Sequence, residues 1–466
     1  MVAFTRALVD RLVAELGERI VLTDPASLDA SSHDSWPVSS KLKRMDIHSH
    51  RADVVVRVTE EQQISVVLAI ADELHVPVTV RSLGSSVTGQ PLPVRGGIVL
   101  DLSGMARSFS LNTRDLTVTA SASFIGGDLE DELVEMGWTM GNSPQSLYRS
   151  SVGGWVATME TGQFSSYYGG VEDLLVGFRV ILATGETAEI SASPRAAMGP
   201  DLRQIFIGSE GTLGVVTSVT LKVFPVPESR LFETLSLPSV GAGIECMRSI
   251  AISGTRPLLL RLYDVDEARH VLSDAQWADP VLFLGTQGSE RLAKVQMEEL
   301  VEIALEHGAR GLGPAGVTAW LGRRYDFSTV EDLLDTEGGY AETIEIAHCW
   351  SGIGTLYAEM KRRLAPLVDE VLAHFSHLYT QGSSLYVIVL GKAEDDAAAV
   401  EILREVWRVA MGVCLELGAE LSHHHGGGLA RSPYARQSLG ESHLILRKVK
   451  AALDPHGILN PGKLGL

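Results

Sequence analysis

Three short glycine-bearing stretches interrupt the first half of this chain, each beside an apolar run. They are Arg81-Ser82-Leu83-Gly84-Ser85-Ser86-Val87-Thr88-Gly89, the segment from Ser146 through Ser151-Val152-Gly153-Gly154-Trp155 to Thr158, and Gly208-Ser209-Glu210-Gly211-Thr212-Leu213-Gly214. Small residues leave main-chain N–H groups uncovered, so such turns can converge on an anion. Taken alone, the first is equally a tight strand–strand connection. The second is stronger, because its glycine pair opens an apolar, helix-like stretch whose first amides have no partner within the helix. Together they ask for a lobe of short strands whose connecting turns lie close together. Glycine is abundant overall, 46 of 466 residues, about 10% against a usual ~7%.

Composition narrows the classes. At 466 residues the chain is too long for one small core, and 45% hydrophobic with 21% charged residues is a globular profile. The net charge of −19 opposes a phosphate backbone, so nucleic acid is excluded as a partner. Cys246, Cys349 and Cys414 are far apart and odd in number; a disulfide framework or zinc site is not expected, and a reducing, cytoplasmic setting is. The first twenty residues carry Arg6, Asp10, Arg11 and Glu15 among apolar positions, which reads as an amphipathic helix rather than a signal peptide. No transmembrane segment is expected.

Periodicity organises the rest. Residues 61–76 read as a helix ended by Pro77, 77–82 and 96–105 as short strands, 116–123 as a strand, 126–138 as a helix and 176–191 as a hairpin turning at Thr184-Gly185-Glu186. The run 208–227 passes from a glycine loop into an alternating strand ended by Pro225 and Pro227. Beyond that pair the glycine density falls. Helical stretches are expected over 289–308, 355–375 and 395–418, with strands over 257–265, 280–288 and 383–391 between them. This pattern indicates a second lobe of sheet backed by helices.

The three loops, in this order and spacing, resemble the flavin-binding lobe of the vanillyl-alcohol oxidase family, also called the FAD-binding PCMH type. The likeness extends to Tyr168-Gly169-Gly170-Val171-Glu172-Asp173-Leu174-Leu175, Gly199-Pro200-Asp201-Leu202 and the tail Leu453–Lys463. It implies an α+β fold with a two-lobe PCMH-type FAD-binding domain and a sheet-and-helix substrate (cap) domain. The boundaries expected are a helical segment over 1–44, the FAD-binding domain over 45–227, the cap over 228–420 and a C-terminal return over 421–466. FAD contacts are expected at Arg81, Gly84, Ser85, Ser86, Gly89, Ser146, Ser151, Gly153, Gly154, Thr158, Glu210, Gly211 and Gly214. Many relatives attach the flavin to a histidine where this chain has Ser85, so non-covalent FAD is expected; a tether from a cap histidine is the alternative.

Within the family the chain most resembles the alkyl-dihydroxyacetonephosphate synthase branch. The residues that carry this likeness are Ser151-Val152-Gly153-Gly154-Trp155, Gly339–Glu345 followed by Trp350, and Ser422-His423-His424-His425-Gly426. The resemblance implies a transferase in which flavin N5 attacks a substrate carbon and an acyl group is exchanged for a long-chain alcohol on a phosphorylated ketone ester. The family at large implies the alternative, an FAD-linked oxidoreductase acting on a 2-hydroxy acid or other small alcohol. His423, His424, His425 and Tyr386 are the catalytic candidates.

If extended, the histidine run places His423 and His425 on one face and His424 on the other. An imidazole titrates near neutrality and suits proton transfer beside a flavin; packed histidines or a metal pair are the plainer readings. Tyr386 alternates with Leu385 and Val387 in a strand, and its phenol needs His or Arg nearby to act as a base. Arg261, charged inside an apolar strand, either binds an anionic substrate or pairs with Asp264. Arg324 is a similar candidate, unless the Arg323-Arg324 pair is simply solvated. No metal ligands are assigned: His48-Ser49-His50 lacks a third ligand by spacing. The stretch 457–464 fits GxxxxGK, but Leu464 stands where Ser or Thr is required. The partners expected are a small anionic substrate and, at most, a second copy of the chain in a homodimer.

Overall fold

The computed structural model describes residues 3–466, with side chains placed from Arg6 onward. Its first sheet has four strands. Val54–Arg57 and Val78–Arg81 both pair in parallel with Ile98–Asp101, and Val21–Leu22 closes one edge. The helix Glu61–Leu74 connects two of these strands and begins with a capping box between Glu60 and Gln63. At the other edge the C-terminal tail joins the sheet: Asn460 donates to the Val78 carbonyl at 2.7 Å, and Val78 to Ile458 at 2.7 Å. The second sheet is a five-stranded antiparallel one built from Phe109–Asn112, Thr117–Ser121, Val215–Lys222, Leu175–Ile181 and Thr187–Ile190.

The third sheet holds seven antiparallel strands drawn from residues 229–392. Strand alternation gives it two unlike faces. Leu260, Leu262, Ile344, Ile346, Ala373, Phe375, Leu385 and Val387 point to one side and form a single core with the helices Val240–Ser253, Glu290–Glu306, Trp350–Leu364 and Asp396–Leu417. The opposite face carries polar groups. Glu345 is in register with Tyr386, Tyr386 with His374, and His374 with Tyr263. These four side chains therefore form one rung across the sheet, and Arg261 lies two residues from Tyr263 on the same face.

The expected helix over 355–375 is half wrong. It ends at Leu364; Pro366 cannot continue it, and Glu370–Leu378 is a central strand of the cap sheet. The strand Gly339–Cys349 was also not anticipated. The N-terminal segment contributes the helix Pro37–Arg44, whose fully buried Lys41 donates to the carbonyls of Leu334 and Thr336, each at 2.7 Å, and pairs with Asp396 at 2.9 Å. No helix among the described residues is long and apolar enough to cross a membrane.

Candidate active site

One cleft collects nearly all of the glycine-loop residues. It encloses about 1130 Å³ of non-protein space, part of it open to solvent. Its walls include Arg81, Gly84, Ser85, Ser86, Ser146, Ser151, Gly153, Gly154, Thr158, Glu210, Gly211 and Gly214, with His424 and His425 at one end. Three sequence-distant turns thus share one cavity.

Local chemistry sets each turn. Gly84 has φ +68°, and a β-carbon there would collide with the Arg81 guanidinium, which lies against the turn. Ser151 caps the helix Val152–Thr158 by accepting the amide of Gly154 at 3.3 Å. A β-carbon at Gly154 would meet only the Ser151 hydroxyl, at 3.2 Å, so this position stays open to the cleft.

Gly89 departs from expectation. It does not line the cleft; its amide donates to half-buried Asp34 at 3.0 Å, and it packs on Leu429. Glu210 reaches the cleft wall, but its carboxylate is consumed by the amides of Gly427 and Gly428 and by Gln90. Rather than facing a ligand, it ties the glycine loop to the segment that follows the histidines.

The histidine run is bent, because Glu345 gathers it. Glu345 is fully buried and accepts from the amides of His424 (3.1 Å) and His425 (2.6 Å), from the Ser422 hydroxyl (2.6 Å) and from Arg431. Burial alone would raise its pKa, but the Arg431 guanidinium, with the Ser422 hydrogen bond, holds it well below the usual carboxylate range. The expected alternation of faces therefore fails. His424 and His425 share the cleft, whereas His423 turns away and bonds the Tyr379 hydroxyl through Nε2 at 2.7 Å.

The ring nitrogens of His377, His423 and His424 lie within 4.8 Å of one another. They are already engaged in part: His377 Nδ1 meets Ser165 Oγ at 2.7 Å, and the Nδ1 atoms of His423 and His424 face each other at 2.8 Å.

His425 is the chemically exposed member. Burial lowers its pKa, Glu345 opposes that shift and Arg431 reinforces it, so the imidazole is neutral at pH 7. Its Nδ1 sits 3.3 Å from Glu345 Oε2 without hydrogen-bond alignment, and its Nε2 lies 3.5 Å from the Tyr386 hydroxyl. A proton on Nδ1, facing the carboxylate, leaves the Nε2 lone pair toward Tyr386. Burial raises Tyr386 far above the usual phenol range, so it stays protonated. The inner face of Tyr386 stacks on His374, centroids 4.8 Å apart at 11°.

Arg261 does not pair with Asp264, which instead binds Lys361 at 2.8 Å. Arg261 donates to the Tyr263 hydroxyl at 2.9 Å and to His374 Nε2 at 2.7 Å. Arg324 lies elsewhere: it donates to Tyr325 Oη at 2.8 Å and to the Leu321 carbonyl, over the Tyr325 ring.

Two further cleft residues, Glu160 and Asn460, lie outside the contacts expected from the sequence. Glu160 is buried, which raises its pKa to about 8 despite a 2.8 Å bond from Asn142, so it is a neutral acid at pH 7. Asn460 lies in the recognised tail and bridges the carbonyls of Gln90 and Glu210. Arg81 Nη1, Ser82 Oγ, Glu160 Oε1 and His425 Nδ1 are buried cleft atoms without a partner among the described residues. Unpaired buried polar atoms cost about 1–3 kcal/mol each, which a bound polar ligand relieves. A dinucleotide with a charged diphosphate and a flat ring suits this set. Arg81, Ser82 and the amides beside Gly84 and Gly154 would take the diphosphate, and Val215, Val216 and Leu102 supply apolar wall.

Comparison with known proteins bears on the same point. Residues 52–191 match the FAD binding domain family, and residues 226–464, just over half of the chain, match the C-terminal domain of FAD linked oxidases. An uncharacterized FAD-linked oxidoreductase of Escherichia coli (strain K12), YgcU, is 32% identical over 98% of both chains. Alkyldihydroxyacetonephosphate synthase of Dictyostelium discoideum is 26% identical, over 88% of this chain and 73% of its own. Among solved structures, p-cresol methylhydroxylase with substrate bound superposes with a TM-score of 0.82 at 16% identity, covering all of this chain and 98% of that one, which is a likeness of fold. The PCMH-type two-domain fold and the FAD cofactor expected from the loops are thus found together, and the chain belongs to the FAD-linked oxidase family, as an FAD-dependent enzyme.

Proposed function

We propose that this enzyme oxidises a small anionic hydroxy compound, with the substrate held between the flavin cleft and the polar face of the cap sheet. The observation that carries the reading is the placement of neutral His425, its Nε2 lone pair turned toward the Tyr386 hydroxyl, on the sheet face that also bears the buried Arg261 guanidinium. Bound FAD would supply the acceptor for the hydride, hydrogen and electron pair together, that leaves the substrate carbon. His425 takes the hydroxyl proton at Nε2, while Glu345 opposite Nδ1 stabilises the imidazolium that results. Tyr386, protonated throughout, donates to the substrate oxygen and orients it. Arg261 binds the carboxylate or phosphate; its neighbours Tyr263, Trp320 and His374 shape a compact aromatic and polar surround.

A second reading is the acyl-for-alkoxy exchange of the synthase branch, favoured by the His423–His425 run with Tyr386 and by 26% identity to a synthase over most of this chain. One experiment separates the two. Anaerobic addition of 2-hydroxy acids and small phosphorylated alcohols should bleach the visible flavin band of the purified holoenzyme. Retention of that band, together with exchange of an acyl ester of dihydroxyacetone phosphate for a long-chain alcohol, would establish the second reading. A folded protein that binds no flavin would remove both.

A further inference from the structure

Arg261 is a buried cation without a direct counter-charge. Its residue surface is 9% exposed, and among the described residues no carboxylate makes an ion pair with it. Two of its N–H groups are taken by Tyr263 and His374, and the rest of the five that a guanidinium carries have no acceptor among the described residues. Burying such a charge is costly unless something compensates it. Compensation arrives through one intermediary. Because arginine can only donate, His374 Nε2 is the acceptor at 2.7 Å. The proton of the neutral ring is therefore on Nδ1, which lies 2.8 and 2.9 Å from the two carboxylate oxygens of Glu267. His374 itself is neutral, since burial lowers its pKa well below the ordinary value.

We propose that Glu267 and His374 are positioning residues for Arg261, and that an anion binding at Arg261 is accompanied by proton uptake on Glu267. The inference rests on the reading of Arg261 as the substrate's anion anchor. The charge logic is short. With Glu267 ionised, the Arg261–His374–Glu267 chain is neutral overall; with Glu267 protonated, it carries one positive charge and attracts an anion more strongly. An incoming anion favours the protonated form for the same reason, so affinity weakens as pH rises through the titration of Glu267.

Burial raises that group to about 7, with Arg261, His270 and Lys361 opposing the rise. The charged and titratable groups facing it are Arg261, Tyr263 and His374 from the sheet, Asp264 and His270 from its own segment, Lys361 from the helix Trp350–Leu364, and Tyr386 beyond His374.

The test uses the holoenzyme and inorganic sulfate, whose charge is constant from about pH 6 to 8, with binding read by calorimetry and by perturbation of the flavin spectrum. Wild-type affinity should weaken by about fivefold from pH 6 to pH 8, the part of a tenfold linkage that falls in this range for a shift of about one pKa unit on binding. Glu267→Gln keeps an acceptor for His374 and should bind sulfate with no slope, at least as tightly as wild type at pH 6. His374→Phe keeps the ring against Tyr386 and should also lose the slope, with weaker binding because Arg261 loses its anchor. His270→Gln should retain it.

A wild-type slope in Glu267→Gln, or in His374→Phe should the first variant not fold, overturns the proposal while leaving Arg261 as anchor. Sulfate binding undiminished in Arg261→Ala, or absent from wild type, instead removes Arg261 as the anchor and the proposed function with it.

Discussion

Glu345 accepts the backbone amide of His425 at 2.6 Å from the strand position directly beside Tyr386. One buried carboxylate thereby fixes both the bend of the histidine segment and its distance from the tyrosine. The Glu345→Gln substitution leaves the Arg431 guanidinium buried without its counter-charge, although the Leu421 and Gly426 carbonyls still accept from it. A loss of about 3 kcal/mol in unfolding free energy is expected, the lower end for breaking a buried pair, together with slower flavin reduction. Denaturant unfolding of holoenzyme measures the first, and an unchanged midpoint would contradict the role assigned to the carboxylate.

Replacing His425 by Gln should lower the rate constant for flavin reduction by roughly 10²–10⁴, the usual worth of a positioned base, while leaving flavin content intact. Tyr386→Phe should cost less, about fivefold, since one orienting hydrogen bond is worth roughly 1 kcal/mol. Anaerobic rapid-mixing absorbance distinguishes the two, and equal losses would reverse the division of labour.

Gly154→Leu probes the cofactor site without disturbing the fold. Its β-carbon meets only the Ser151 hydroxyl, and the longer side chain extends into the cleft. The expected product is a folded, colourless protein with a melting temperature near that of wild-type apoprotein. Stoichiometric flavin in this variant would show that the diphosphate lies elsewhere.

Acid sensitivity should trace partly to His423. Burial lowers its pKa to about 4, below the ordinary ~6.5 of the unfolded chain. As pH falls below 6.5 the unfolded state takes the proton first, so the stability associated with the neutral buried ring is fully present above that value and is lost progressively down to about 4. The loss amounts to about 3 kcal/mol. Glu160 and Glu342, both raised to about 8 by burial, run the opposite way, so the difference between His423→Asn and wild type is the informative quantity. Unfolding curves at pH 7 and pH 4.5 should show a smaller decline in the variant.

The sequence made the flavin lobe readable because its work is done by backbone, and backbone work leaves glycines at set positions: Gly84, Gly153 and Gly154 all stand in the cleft. Gly89 misled because a glycine kept for close packing on Leu429 looks the same in one dimension as a glycine kept for a ligand. Tyr386 could be found from its alternation between Leu385 and Val387. His374 could not, since KRRLAPLVDEVLAHF reads as a continuing helix until Pro366 is given its full weight, and the strand that presents the imidazole was hidden by that reading. Glu345 was visible as a residue of the recognised motif, but its grip on His424 and His425 depends on a bend that spacing alone does not encode. The separation of His423 from His425 is the direct result.

The rung formed by Glu345, Tyr386, His374 and Tyr263 crosses four adjacent strands. A one-residue slip in any of them would turn that strand's contribution toward the helix-packed core, so length changes there are barred, whereas exchanging a rung side chain leaves the ladder intact. The cap sheet is in this sense a keyboard: relatives with other substrates can differ at single keys of the row without retuning the frame, and libraries aimed at altered selectivity should vary those keys and leave the turns between the strands at fixed length.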